Sequence, residues 1–326
     1  MSGRGSNDAD GPVPVGRLAP SPTGLLHLGH ARTFLLAWWH IRSRGGRILM
    51  RMEDLDGPRC KPGLADAALR DLEWLGLNWD GDTYLQSDGQ DRLLEAVGQL
   101  ESRGLTYPCV CSRADIRSMQ SAPQQGDLET RYPGTCRGRF ASREAAERDT
   151  GKPAGLRFMV PAGEVVIEDG FAPPLRSDVA REIGDFLVAR RDRLVSYQLA
   201  VVVDDAHQGV TEVLRGDDLL ASTARQWHLQ RALGIGHPRW LHVPLVLDKT
   251  GRRLAKRADD LSLSRLRDGG TDPRAIVAWA AQSAGQATAD RCTPAEVARV
   301  FDLEAVPRTP VRLSQQKLSE LAGARA

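Results

Sequence analysis

Apolar residues recur every three to four positions over residues 26–43, between a proline-bearing loop and the pair Gly45-Gly46. That spacing predicts a helix with defined ends. A short apolar run over residues 13–19 precedes it and reads as a strand, because Pro20 and Pro22 then force a turn. "RILMRME", residues 47–53, follows as a second, buried strand. Strand, loop, helix and strand in that order open a parallel, doubly wound α/β sheet of Rossmann-like type. Helical spacing returns over residues 64–75 and 88–102.

The pattern breaks between Tyr107 and Arg176, where prolines, glycines and cysteines cluster around two short strand-like runs, "GLRFMVP" and "EVVIED". This stretch reads as a subdomain inserted into the sheet. "DFLVARRD" and "LVSYQLAVVVDD" read as the sheet resuming, with a helix over residues 219–233 and a strand at "LHVPLVLD" to complete it. After Arg257 only short helical segments remain. The expected division is a flexible tail (1–12), the first half of the main domain (13–106), an inserted subdomain (107–180), the second half (181–257) and a short helical C-terminal stub (258–326).

Composition narrows the class without naming a chemistry. With 326 residues and 41% hydrophobic content the chain can bury a substantial core. A net charge of +2 neither announces nor excludes a nucleic-acid partner, since binding needs a local basic face rather than a basic total. Five cysteines are too few for a disulfide scaffold in a chain this long. The opening "MSGRGSNDADGPVP" lacks the apolar core of a signal peptide, and no apolar run approaches the roughly 18 residues of a membrane helix. A cytoplasmic protein with no membrane partner is the expectation, with metal binding the natural use of clustered thiols.

"RLAPSPTGLLHLGHAR", residues 17–32, sets His27 and His30 at the start of the first helix. Helix N-termini carry unpaired N–H groups and partial positive charge, and so attract phosphates. Imidazoles placed there can donate to a phosphorus centre as it gains charge, and Gly29 leaves space for an adenine ring against the backbone. Spacing alone is met more often by one capping and one solvated histidine. A second element shifts that balance: "KTGRRLAKR", residues 249–257, holds five cations in nine residues just after the last strand. A cationic loop at that edge of a sheet can neutralise a leaving pyrophosphate.

Together these stretches resemble the class I aminoacyl-tRNA synthetases, whose two signatures look like "HLGH" and "RLAKR" here. "RLAPSPTGLLHLGHARTFLLAW", "LMRMEDLDGPR", "YQLAVVVDD" and "VLRGDDLLASTARQ" are similar to the glutamyl branch, in its order, from Gly16 to Arg257. The resemblance implies ATP-dependent activation of L-glutamate to glutamyl-adenylate, with Mg2+ arriving on the ATP. His27, Gly29, His30, Arg253 and Lys256 would bind ATP, and His27, His30 and Lys256 would be the catalytic set. Ala255 departs from the serine usual in the second signature, which removes one hydroxyl donor.

Glutamate carries two carboxylates and an ammonium, so its pocket needs two cationic forks and an anion. Arginine suits carboxylates because its planar guanidinium can bind them bidentately. The resemblance implies Arg17, Ala19, Ser21, Glu53, Tyr197 and Arg215 as the glutamate-binding set, Glu53 on the α-ammonium. Arg215 is assigned the γ-carboxylate and Arg17 the α-carboxylate, roles the two could exchange. Asp204-Asp205 and Asp217-Asp218 suit solvated turns or structural ion pairs better than a magnesium site.

Cys109, Cys111 and Cys136 fall in the inserted region. Their spacing leaves a metal site open; the resemblance implies one structural zinc with Tyr132, four residues before Cys136, as its fourth ligand. Cys60 and Cys292 have no partner in the pattern and read as plain thiols.

The residues after the "RLAKR" loop are too few for the helical region with which full glutamyl enzymes grip an anticodon, and are expected to form a stem-contacting stub. The resemblance is therefore nearest to the truncated paralogues called glutamyl-Q tRNA(Asp) synthetases. It implies a monomer that activates glutamate without tRNA and passes it to the queuosine base in the anticodon loop of tRNA(Asp). Two alternatives stand beside it: a short glutamyl-tRNA synthetase charging a tRNA 3′ end, and a non-catalytic tRNA-binding paralogue. The second would have lost ATP and glutamate positions that are present here. A nucleotidylyltransferase of another kind fits the glutamyl pocket pattern less well.

Overall fold

A computed structural model describes residues 12–118, 131–252, 254 and 262–321. Strand β1 (Val15–Leu18) runs through the proline loop into helix α1 (Leu28–Arg42), and strand β2 (Arg47–Met52) returns parallel to β1 with Arg17 beside Leu49. Helix α2 (Leu64–Trp74) leads to the two-residue strand β3 (Tyr84–Leu85), parallel to β2. Helix α3 (Gln90–Ser102) then carries the chain out of this sheet.

The inserted region is antiparallel. Strand β4 (Thr106–Cys109), helices α4 (Arg113–Ser118) and α5 (Arg143–Thr150) and strand β5 (Gly155–Phe158) come first, with β4 against β5. A hairpin of β6 (Val165–Ile167) and β7 (Leu175–Ser177) and the short helix α6 (Val179–Glu182) lead to β8 (Phe186–Ala189), which pairs antiparallel with β5. Helix α7 (Tyr197–His207), strand β9 (Glu212–Gly216), helix α8 (Leu220–Leu233) and strand β10 (Arg239–Val243) follow, β9 and β10 being parallel. On the side of β1 away from β2, Thr211 N donates to Val15 O at 2.9 Å, so β9 and β10 extend the parallel arrangement.

Strand β11 (Val246–Leu247), helices α9 (Leu263–Asp268), α10 (Pro273–Ser283) and α11 (Pro294–Ala298), strand β12 (Val311–Arg312) and helix α12 (Gln315–Leu321) complete the described chain, with β12 parallel to β11. These late elements are not an appendage. Ile276, Val277, Trp279 and Val297 share one core with Leu35, Leu36 and Trp39 of α1. Helix α1 is thus buried between the sheet and α10–α11, which explains why even its Arg32 is fully enclosed. No described helix is long and apolar enough to cross a membrane.

Two sequence expectations need correction. "LVSYQLAVVVDD" is not a strand of the sheet; Tyr197–His207 is helical, and Leu199 to Val203 are all buried. A run enclosed on every side shows no one-sided period, so apolar content alone cannot separate helix from strand. "DFLVARRD" does form a strand, but β8 belongs to the antiparallel sheet of the inserted region rather than to the parallel strands. The expected tail falls, apart from Pro12, outside the described residues.

Candidate active site

A cavity of about 360 Å3 opens where the C-terminal ends of β1, β2 and β9 meet the start of α1 and α7, the position at which parallel α/β sheets bind ligands. Arg17, Ala19, Ser21, Glu53, Tyr197 and Arg215 all line it, and so do His27, Gly29 and His30. Residues scattered over two hundred positions of sequence are brought into one site. Arg253, Ala255 and Lys256 lie outside the described residues, while Leu254 between them lines the cavity.

At one end the two histidines build the helix start between them. His27 is the N-cap of α1, and its Nδ1 accepts from Gly29 N at 3.1 Å. His30 Nδ1 accepts from His27 N at 3.2 Å, closing a reciprocal capping box. Both Nδ1 atoms are therefore acceptors, and each ring carries its proton on Nε2 when neutral. The rings stack with centroids 3.7 Å apart. A Cβ on residue 29 would come 3.0 Å from His27 Cε1, so the glycine makes room for the capping ring itself. Capping and phosphate donation, alternatives on spacing alone, are compatible here: one nitrogen of each ring serves the helix and the other is a donor.

The opposite end is a buried ion network. Arg51, fully enclosed on β2, reaches Asp205 Oδ1 at 2.7 Å and Glu53 Oε1 at 3.3 Å. Arg17 Nε stands 3.5 Å from the same Asp205 oxygen, and Ser21 Oγ donates to Glu53 Oε2 at 3.4 Å. Burial pushes the Glu53 carboxyl above its ordinary range despite the two arginines, which marks a carboxylate short of positive charge. Tyr197 is the first residue of α7, not the end of a strand, and it lines the cavity while 38% exposed.

Arg215, on β9, is only 4% exposed and, among the described residues, has no carboxylate partner. Its Nε donates to His242 Nε2 at 3.0 Å, and its Nη2 donates to Thr223 Oγ1 and Gln226 Oε1, each at 2.9 Å. Nη1 is buried with no hydrogen-bond partner. Burial lowers the pKa of this guanidinium below the ordinary arginine value. A buried cation held by three neutral groups in the wall of a cavity has the charge and the donors that an anion would need.

Sequence reasoning missed the residues behind these arginines. Asp205 had a signal, as half of an acidic pair, and is the structural ion pair of the two readings offered for it; its neighbour Asp204 is bound inside by Tyr84 and Gln86. Arg51, Thr223, Gln226, His242 and Asp169 gave none, since each acts only through a tertiary contact.

In the inserted region the sulfurs of Cys109, Cys111 and Cys136 lie within 4.8 Å of one another, an arrangement that could hold a metal ion. Cys111 Sγ and Cys136 Sγ are 3.6 Å apart, and Tyr132 Oη lies 3.4 Å from Cys109 Sγ and 3.9 Å from Cys111 Sγ. Two thiolates of a tetrahedral zinc site stand roughly 3.8 Å apart, given Zn–S bonds of about 2.3 Å. Among protein neighbours alone, burial pushes the Cys111 thiol up to about 12. All five cysteines are free of disulfides.

Residues 14–320 match the family described as "tRNA synthetases class I (E and Q), catalytic domain". A glutamyl-Q tRNA(Asp) synthetase of Symbiobacterium thermophilum is 44% identical over 321 residues, covering 95% of this chain and 99% of the relative. One from Rhodopirellula baltica is 45% identical, over 83% of this chain and 85% of that one. Among solved structures, a glutamate tRNA ligase from Elizabethkingia meningosepticum superposes with a TM-score of 0.80 at 22% identity, covering 95% of this chain and 69% of the other. At that identity the likeness speaks for the fold.

Proposed function

The chain belongs to the class I tRNA synthetases of the glutamate and glutamine type, a family of ligases, and from that premise we propose that it activates L-glutamate with ATP and transfers it to a tRNA. The observation that carries the amino-acid assignment is Arg215, a buried guanidinium in the cavity wall whose Nη1 has no hydrogen-bond partner. Arg17 and Arg215 line the cavity together with Glu53, two guanidinium groups and one carboxylate of the kind an amino acid with two carboxylates and an ammonium needs. Glutamate offers one carboxylate to each guanidinium and its ammonium to Glu53. Glutamine puts a neutral amide in place of the second carboxylate and leaves Arg215 without a counter-charge, at a cost of about 1–3 kcal/mol.

In this reading Arg215 reads the γ-carboxylate, Arg17 the α-carboxylate and Glu53 the α-ammonium. An α-carboxylate oxygen attacks the α-phosphorus of ATP, the bond to the bridging oxygen breaks, and pyrophosphate leaves with that electron pair. The Nε2–H groups of His27 and His30, aimed from the helix start, donate to the phosphate oxygens as charge builds. Lys256 and Arg253 are assigned the leaving pyrophosphate, and Mg2+ bound to ATP shares that charge.

The acceptor is the queuosine base of tRNA(Asp), a hydroxyl of which attacks the adenylate carbonyl and displaces AMP. The names of the relatives support this choice. A structural zinc is held by Cys109, Cys111, Cys136 and Tyr132, where it would tie the start of the inserted region to its middle. The acceptor is tested with labelled glutamate offered to queuosine-containing tRNA(Asp), queuosine-free tRNA(Asp) and tRNA(Glu). Label on the first alone supports the assignment. Label on tRNA(Glu) alone would make the chain a short glutamyl-tRNA synthetase instead.

A further inference from the structure

Arg215 is held by a pair that no motif announces. His242 is its cross-strand neighbour on β10, with Arg215 and His242 in register in the parallel pair. His242 Nδ1 lies 2.5 Å from Asp169 Oδ2, and both side chains are almost wholly enclosed. Asp169 comes from the turn between β6 and β7, in the inserted region. Its other oxygen accepts from the backbone N–H groups of Phe171, Ala172 and His242 at 2.9, 2.7 and 3.1 Å. Gly170 N donates to Trp240 O at 2.7 Å, and Phe171 packs under the Arg308 guanidinium, which donates to its carbonyl. The turn is anchored on both sides.

The acid form of this pair is fixed by its surroundings. Burial pushes the Asp169 carboxyl up, but the four hydrogen bonds outweigh it and hold the group below its ordinary range, ionised. Burial lowers His242, with the Arg215 cation acting in the same direction, so the imidazole is neutral. A neutral imidazole has one N–H and one lone pair. An ionised Asp169 demands the N–H at Nδ1, which leaves the lone pair at Nε2 to face Arg215 Nε–H at 3.0 Å, with the Thr223 hydroxyl 3.1 Å from the same nitrogen.

We propose that Asp169 and His242 are positioning residues for glutamate selection: Asp169 locks the His242 tautomer that accepts from Arg215 Nε, which fixes the Arg215 guanidinium in the cavity wall. The inference rests on the assignment of Arg215 to the γ-carboxylate. It gives the inserted region a second duty, since its β6–β7 turn reaches back to set the geometry of the amino-acid pocket.

The test is Asp169→Asn, which keeps shape but puts an amide NH2 or a neutral oxygen opposite Nδ1. With NH2 there, Nδ1 must accept, the proton moves to Nε2, and two N–H groups oppose each other at Arg215. Steady-state pyrophosphate exchange on the full chain is read for glutamate KM, ATP KM and kcat, with Arg215→Gln as the control. Nitrogen-15 spectra of histidine-labelled protein report which His242 nitrogen carries the proton. We expect glutamate KM to rise roughly ten- to hundredfold, the cost of misdirecting a hydrogen bond from a charged group. ATP KM and kcat should stay within about twofold, with the His242 proton moved from Nδ1 to Nε2, and His242→Gln, which can still accept from Arg215, should retain more glutamate affinity than His242→Phe. A strong glutamate defect in Arg215→Gln with none in Asp169→Asn overturns the positioning role and leaves the Arg215 assignment standing. Equal losses in glutamate KM, ATP KM and kcat for Asp169→Asn overturn it as well, by reducing the pair to general support. No defect in Arg215→Gln overturns both the pair's role and the assignment beneath it.

Discussion

Asp205 Oδ1 lies 2.7 Å from Arg51 Nη1, inside the protein and directly behind the cavity. The same oxygen is the ion partner of Arg17. One carboxylate thus supports two guanidinium groups that have almost no access to water. Asp205→Asn removes the carboxylate paired with Arg17 and leaves Arg51 with Glu53 alone, and its unfolding free energy should fall by about 3–5 kcal/mol. Urea denaturation monitored by tryptophan fluorescence measures this. A loss below about 1 kcal/mol would mean that solvent already screens the network.

Glu212 opens β9, three residues before Arg215, and takes hydrogen bonds from His40 at 2.7 Å and from both ends of the Arg44 fork. Burial alone would raise its carboxyl, but these partners outweigh burial and hold it at about 2. A carboxylate depressed in the folded state adds stability above its unfolded value near 4.5, and loses it as pH falls toward the folded value. At pH 7 the contribution is on the order of 3 kcal/mol. Glu212→Gln should therefore be less stable than the parent at pH 7, with the gap closing between pH 4.5 and about 2. A gap independent of pH would show that charge is not what Glu212 supplies.

Gly29→Ala should separate helix stability from ATP binding. Alanine near a helix start is a better helix former than glycine by up to about 1 kcal/mol. Its Cβ, however, would stand 3.0 Å from the His27 ring, which must turn away. The lost His27 cap offsets that gain, so the expected outcome is a melting temperature little changed, with ATP KM up roughly tenfold and glutamate KM steady. A variant with unaltered ATP KM would remove His27 from the nucleotide end.

The residues that touch ligand in this reading were legible in the sequence, and the residues that hold them were not. His27, Gly29 and His30 sit in a local pattern at a helix start, while Arg17, Glu53 and Arg215 were legible only through the resemblance to the glutamyl synthetases. Asp169 and His242 are 73 positions apart, and nothing local marks either. Helix α7 was misread for a related reason: Leu199 to Val203 are buried on all sides, so the one-sided stripe that announces a surface helix is missing. Strand β8 shows that a short apolar run declares a strand without declaring its sheet. The first β–α–β unit was readable because glycines and prolines punctuate its ends.

Removing the metal tests the cysteine cluster. Protein purified without chelator should contain about one zinc per chain, and stripping it should lower the melting temperature while leaving residual glutamate-dependent exchange. Tyr132→Phe keeps the ring that stacks under Arg157 but removes the oxygen. It should bind zinc with lower affinity in a chelator competition, by roughly tenfold or more. Equal affinity in the two proteins would give the fourth position to another donor.

ATP–pyrophosphate exchange in the absence of any tRNA reads amino-acid activation most directly. With L-glutamate the parent protein should exchange label, with L-glutamine it should exchange at least roughly tenfold more slowly, and Arg215→Gln should lose most of the glutamate rate. No exchange with glutamate, or equal rates with glutamate and glutamine, would contradict a glutamate-activating site built on Arg215.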